Sequence, residues 1–343
     1  PLNAAVREQT GFGSTQNAQA SAGGYPNVTQ TEEYNGSSWT NGNAITEQGS
    51  FGAAAGTLTA GLAFGGYNTA QTASSTRTVS YDGTNWTALP TPGSDTNTAG
   101  NFTRGGGGTQ TAAIFSGGGP SRQLATEAYD GSSWTSLANM NLGRSGQGLL
   151  GTQTNALYAG GIQPSPSRTA VTEEWDGSAW LQLGQDIDGK GAEDESGRSV
   201  SMNSTGNIVA IGAPCQLFGF GNSINSYVRI YEWDGSTWLQ LGQDIDGEIA
   251  GDQSGYAVSI NATGNRVAIG AHENDGNGNA GSRAGHVRIY EWNGSSWTEV
   301  ADLSTDRDAG ASGGTTSAAF MATGRTGPTS AVTTANEEWS NQS

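Results

Sequence analysis

Tyr81-Asp82-Gly83-Thr84-Asn85-Trp86 is a phrase that this chain repeats. It returns as Tyr34-Asn35-Gly36-Ser37-Ser38-Trp39 and as Tyr129-Asp130-Gly131-Ser132-Ser133-Trp134. With Trp in place of Tyr it returns as Trp175-Asp176-Gly177-Ser178-Ala179-Trp180, Trp233-Asp234-Gly235-Ser236-Thr237-Trp238 and Trp292-Asn293-Gly294-Ser295-Ser296-Trp297. A seventh copy opens at Trp339 and reaches Ser343, where the sequence stops. All ten tryptophans fall within these copies. The Asp-Gly step is a hairpin signal, because a type I′ turn takes positive φ at both central residues. Asp82 and Gly83 read as that pair. The run Thr76-Arg77-Thr78-Val79-Ser80-Tyr81 before them alternates like a half-exposed strand, and the next strand begins near Trp86.

The aromatic that opens each copy stands at 34, 81, 129, 175, 233, 292 and 339, giving intervals of 47, 48, 46, 58, 59 and 47. Two lengths of repeat are therefore present. The short ones carry a second marker before the phrase, a Gly pair such as Gly23-Gly24, Gly65-Gly66 or Gly160-Gly161. Brief apolar runs lead into it, which suits a buried inner strand bounded by a turn. Each unit thus supplies about four short strands, and helical periodicity is absent. A unit of this size cannot bury both its faces alone, whereas radial stacking of such sheets does. The expectation is an all-β, seven-bladed β-propeller with four short antiparallel strands per blade, one domain over residues 1–343. The ring aromatics are expected to pack between blades, each burying ~150–250 Å². The interval from Trp339 through the end and on from Pro1 to Tyr34 falls short of a repeat. The ring is therefore expected to close by pairing the N- and C-terminal segments in one blade. The missing strand would belong to sequence outside this chain or be absent.

The short repeat, with its double Gly, its aromatic-Asp step and its Trp, resembles the kelch repeat, over residues 1 to about 182 and again from about 300 to 343. The Arg usual after the last strand in that family stands at Arg144 and is missing from most copies. The two long repeats, about 183–299, resemble the integrin-like FG-GAP repeat. They carry Gly255-Tyr256-Ala257-Val258-Ser259, Asn265-Arg266-Val267-Ala268-Ile269-Gly270-Ala271 and His286-Val287-Arg288-Ile289-Tyr290 in that family's order. The wording of the short repeats, Thr31-Glu32-Glu33-Tyr34-Asn35-Gly36-Ser37-Ser38-Trp39 and Gly108-Thr109-Gln110-Thr111-Ala112-Ala113, is similar to tandem kelch-like proteins of marine tailed phages and marine bacteria. That likeness implies an extracellular or virion-surface setting and a structural or appendage role.

The net charge is −17, and Lys190 is the single lysine among 14 basic residues. Nucleic acid is a poor partner for such a chain, which has no basic patch to neutralise phosphates. Anionic membrane surfaces are equally disfavoured, and no apolar run is long enough to insert in a membrane. Cys215 is alone, so no internal disulfide forms. Starting at Pro1 instead of Met, the chain reads as a processed or excised segment of a larger polypeptide or assembly.

The candidate site is an acidic loop. Asp244, Asp246, Glu248 and Asp252 fall at relative positions 1, 3, 5 and 9, a spacing used by loops that wrap Ca²⁺ in hard oxygen ligands. In the other long repeat the same stretch, Asp186 to Asp194, has Lys190 at position 5, and the Gly stands at position 4 instead of 6. A plain solvated loop is the alternative. Integrin-like repeats usually carry their calcium loop where this chain has Asn203-Ser204-Thr205-Gly206-Asn207 and Asn261-Ala262-Thr263-Gly264-Asn265, without a carboxylate. His272 to Asn279 reads as a long exposed connection.

Catalytic constellations are not marked. The phrase is one residue short of a sialidase Asp box, and one Cys with two His does not meet the needs of kelch-type copper oxidases. The expectation is a non-enzymatic adhesion, decoration or receptor-binding module presenting rim loops to a glycan or protein partner. It would have no catalytic residue and no cofactor other than calcium at the acidic loop. The alternatives are a polysaccharide-acting enzyme with an axial active site and a structural scaffold domain.

Overall fold

The computed structural model describes residues 10–15, 18–24, 28–46, 52–68, 73–74, 77–91, 105–118, 124–144, 149–161, 171–182, 187, 189–190, 194–215, 226–271, 273–274, 285–302, 311–315, 318–322, 325–326, 331–332 and 336–340. Among these the chain forms antiparallel sheets and falls into two compact units. No helix among them is long and apolar enough to cross a membrane.

Unit 1 carries four four-stranded sheets. The first runs Thr10–Thr15, Ala18–Ala22, Thr31–Tyr34, Trp39–Asn41 in spatial order, and the second runs Ala53–Thr57, Ala60–Phe64, Thr78–Tyr81, Trp86–Leu89. The third runs Gly105–Thr109, Ala112–Ser116, Thr126–Tyr129, Trp134–Ser136, and the fourth Leu149–Gly151, Ala156–Ala159, Thr172–Trp175, Trp180–Gln182. Unit 2 has two more, Ser199–Met202, Ile208–Ala213, Tyr227–Trp233, Trp238–Gln240 and Ser254–Ile260, Arg266–Ala271, His286–Trp292, Trp297–Asp302. A short strand, Ile245–Asp246, pairs onto Tyr227–Val228.

Among the described residues six four-stranded blades are formed, not the seven expected. The seventh phrase lies in a three-stranded sheet of Ala311–Thr315, Ala318–Ala322 and Asn336–Ser340. In every other copy the phrase makes the turn into a fourth strand, whereas here residues 341–343 lie outside the described residues. The expected pairing of the terminal segments falls on residues 1–9 and 341–343, outside the described residues.

The phrase works by a turn different from the one expected. Tyr81 pairs with Trp86, and Asp82 N donates to Asn85 O, so Gly83 and Thr84 are the central residues. Positive φ falls on Gly83 alone, at 92°. A type I′ turn takes positive φ at both central residues, so it is not the turn formed here. The Asp side chain then caps the loop, its Oδ1 accepting from Thr84 N at 2.8 Å and Asn85 N at 2.6 Å. The third strand is also less exposed than its alternation implies. In Thr78–Tyr81 only Ser80 is not buried, because this strand lies inside its sheet and meets other residues on both faces.

The aromatics do pack between blades. Phe12 of the first sheet meets Tyr81 and Trp86 of the second edge-on, at 6.2 and 5.8 Å. The closing Trp of a phrase also reaches back to the preceding sheet: Trp86 Nε1 donates to Thr31 Oγ1 (2.8 Å), Trp134 Nε1 to Thr78 Oγ1 (3.1 Å) and Trp180 Nε1 to Thr126 Oγ1 (2.8 Å). Within each unit the first strands of successive sheets lie against each other. Their glycines permit this approach, since a Cβ on Gly105 would meet Leu149 Cβ at 2.1 Å.

Candidate functional site

The acidic loop leaves the fourth strand of the fifth blade and enters the first strand of the sixth. Its carboxylates do not gather on one point. Asp244 and Asp246 turn to Lys190, whose Nζ lies 3.0 Å from Asp244 Oδ2 and 3.2 Å from Asp246 Oδ1. Asp244 Oδ1 also accepts from Arg229 Nε at 2.8 Å and Gln240 Nε2 at 2.7 Å. Burial alone would raise the Asp244 carboxyl, but the bonds from Arg229, Lys190 and Gln240 hold it down to about 2. Glu248 and Asp252 turn instead to Asn274, whose Nδ2 donates to Glu248 Oε2 at 3.1 Å and Asp252 Oδ2 at 2.9 Å. Asp252 also accepts from Ile249 N at 3.1 Å, closing its own loop.

These residues do not fit a calcium ion. The best-placed oxygens already face an ammonium and a guanidinium. Among the described residues no three His, Cys, Asp or Glu side chains are grouped to hold a metal. Asp186, Asp188 and Glu193 of the other long repeat, and His272 and Asp275–Asn279, lie outside the described residues.

A second cluster, missed from the sequence, lies on the sixth blade beside Glu248. His286, Arg288 and Tyr290 alternate along one strand, and Glu299 and Asp302 come from the next. Arg288 stands opposite Asp302 in the ladder and Tyr290 opposite Glu299, the positions at which cross-strand side chains meet. Tyr290 Oη donates to Glu299 Oε2 at 2.8 Å, and Arg288 Nη1 lies 3.6 Å from the same oxygen. The His286 ring is bracketed, Nδ1 at 3.5 Å from Glu248 Oε2 and Nε2 at 4.0 Å from Asp302 Oδ1. Burial, then the hydrogen bond with Glu299 and its charge, push the Asp302 carboxyl above its ordinary range. The corresponding residue to His286 in the fifth blade is Tyr227. It donates to Asp194 and carries the Lys190 ammonium 4.3 Å above its ring. In both long blades this strand thus carries ring and cationic side chains that face carboxylates of neighbouring segments.

Unit 1 hides a different set of charges. Glu32, Glu127 and Glu173, each second in a third strand, are buried. Glu173 takes the Arg144 guanidinium on one oxygen and Asn141 N, at 2.9 Å, on the other. Tyr158 packs its ring 5.0 Å from Arg144 Cζ, and burial pushes its hydroxyl up to about 12. The Thr-Glu step that three of the repeats carry before the aromatic is the visible signal for these glutamates.

A solved structure titled "Structure of YjhT" superposes on the chain with a TM-score of 0.54 over 98% of this chain and 95% of that one, at 12% identity. The chain has the β-propeller fold. At that identity the likeness shows the fold alone. No protein-family model and no curated protein sequence matches the chain.

Proposed function

We propose that this propeller is a non-enzymatic binding module, displayed outside a cell or on a virion, whose loops meet a glycan or a protein partner. Its short blades are kelch-like and its two long blades FG-GAP-like, and it serves as an adhesion, decoration or receptor-binding part of a larger polypeptide or assembly. The observation that supports this reading is the placement of ionisable groups. The first strands, which contact one another within each unit, carry no Asp, Glu, Lys, Arg or His. The charged side chains of the acidic loop and of the two long blades are paired among themselves instead. Asp246, Glu248, Gln240 and Asp302, which face solvent, offer the planar acceptors and donors that sugar hydroxyls or a polar protein face require.

The polysaccharide-acting alternative would need two carboxyl groups about 5–5.5 Å apart, or farther for an inverting enzyme. The test is a broad glycan array run alongside a reducing-end assay on the bound polysaccharides. Retention without release of new reducing ends is the expected result. Release of such ends by the pure protein would overturn the non-enzymatic reading, and a blank array would redirect the search to a protein partner.

A further inference from the structure

Two of the six complete phrases, those of the first and sixth blades, carry Asn where the other four carry Asp: Asn35-Gly36 and Asn293-Gly294. In an Asn-Gly step the backbone nitrogen of Gly can attack the Asn side-chain carbonyl carbon, Cγ. The tetrahedral adduct expels ammonia to give a succinimide, and water opens that ring to Asp or isoaspartate. The overall balance is one water consumed and one ammonia released, with no other reactant. The difficult point is the negative charge that develops on Oδ1 in the adduct.

In these turns Oδ1 already faces a set of donors. Asn35 Oδ1 accepts from Ser37 N at 3.0 Å, Ser38 N at 3.0 Å and Ser37 Oγ at 2.9 Å. Asn293 Oδ1 accepts from Ser295 N, Ser296 N and Ser295 Oγ, each at 2.9 Å. These donors surround the ground-state oxygen, and they stabilise the adduct to the extent that Oδ1 keeps its place among them as Cγ becomes tetrahedral. The turns are exposed, and a Cβ placed on Gly294 would meet nothing within 4 Å, so water reaches the site.

We infer that Asn35 and Asn293 are sites of spontaneous deamidation in the folded protein, promoted by the three-donor cradle of the phrase turn. The aspartyl product is one that the fold already accepts. Asp130 occupies the same cradle, with Ser132 N, Ser133 N and Ser132 Oγ each at 2.8 Å. The isoaspartyl product lengthens the main chain of the turn and opposes the Tyr34–Trp39 pairing.

Asn41-Gly42 is an internal comparison. It is also an Asn-Gly step, with Asn41 exposed, but Gly42 N is donated to Thr31 O at 2.9 Å, which withholds the nucleophile.

The experiment is peptide mapping by mass spectrometry after incubation at mildly alkaline pH in ¹⁸O-labelled water, with the wild type, Ser37→Ala and Asp130→Asn, folded and in concentrated urea. Label is expected at Asn35 and Asn293 before Asn41 in the folded protein, with the three rates converging in urea. Ser37→Ala is expected to slow Asn35 several-fold and leave Asn293 unchanged. Asp130→Asn places an Asn in the third cradle and is expected to revert to Asp, with label, at a rate like that of Asn35. Folded Asn41 reacting as fast as Asn35, an unchanged Asn35 rate in Ser37→Ala, or a stable Asp130→Asn protein would each overturn the inference.

Discussion

Arg144 and Glu173 make the sharpest test of how unit 1 is held together. Both side chains are essentially inaccessible to solvent, so neither charge has water to fall back on. Replacing Arg144 with Met keeps much of the volume and leaves the Glu173 carboxylate with the Asn141 N–H as its remaining named donor. An uncompensated buried charge of this kind costs about 3–5 kcal/mol. Glu173→Met removes the carboxylate that faces the buried guanidinium and is expected to cost a similar amount. The double substitution removes both charges and lets two thioether side chains fill the space. Apolar replacement of a whole buried pair is often neutral or stabilising, so the double variant is expected to lie well above either single one. Urea unfolding of the four proteins, with midpoints compared at constant slope, reads the cycle directly. Single substitutions each costing under ~1 kcal/mol, or a double variant as unstable as the sum of the two, would refute the reasoning.

Further outcomes follow from the turns, the inner strands and the acidic loop. Gly105→Ala drives a Cβ to 2.1 Å from Leu149 Cβ and is expected to cost about 1–3 kcal/mol or more by overpacking. Gly235→Ala, where a Cβ meets nothing within 4 Å at φ +100°, is expected to cost about 1 kcal/mol from φ alone. Equal urea midpoints for the two would contradict the steric account. The Ser132 hydroxyl, then the Ser133 and Ser132 N–H groups, hold the Asp130 carboxyl down to about 2. With the folded value depressed, its stabilisation is present above the unfolded value of ~3.9 and lost as pH falls from there toward about 2. Freshly prepared Asp130→Asn should therefore melt below the wild type at pH 6 and match it near pH 2, and a pH-independent gap would count against the cap. Calorimetric titration with Ca²⁺ at millimolar concentration is expected to give no heat in the wild type, because Lys190 and Arg229 already face Asp244. A saturable signal would show that the loop rearranges around the ion.

The period and the phrase made the blades legible, because both depend on contacts close in sequence. Pairing of Tyr81 with Trp86 is decided by residues within one hairpin, and so is the Gly at positive φ. The blade count was less legible. Seven phrases promise seven blades, yet among the described residues the phrase at Trp339 lies in a sheet of three strands. The acidic loop shows a different limit. Spacing places Asp244, Asp246, Glu248 and Asp252 along the chain, but their partners are set by residues far away in sequence. Lys190 is fifty-odd positions upstream and Asn274 comes from the following blade. The same holds for Glu173, whose Thr-Glu signature looks like any surface strand until the neighbouring blade covers it. His286 stands in a run that marks the long repeat, and that run says nothing of the carboxylates that bracket the ring.

The hydrogen bonds from Trp86 to Thr31, Trp134 to Thr78 and Trp180 to Thr126 all run in one direction, from a later blade to the one before it. Each threonine is buried and waits for an indole some fifty residues downstream. During synthesis the first blade therefore leaves the ribosome with its Thr31 hydroxyl unanswered until the second blade has been made through Trp86. Unit 1 matures with a lag of one repeat, as expected where each repeat leans chiefly on its neighbours. A nascent chain halted just before a closing tryptophan holds a complete sheet that is still waiting for the next residue to lock it.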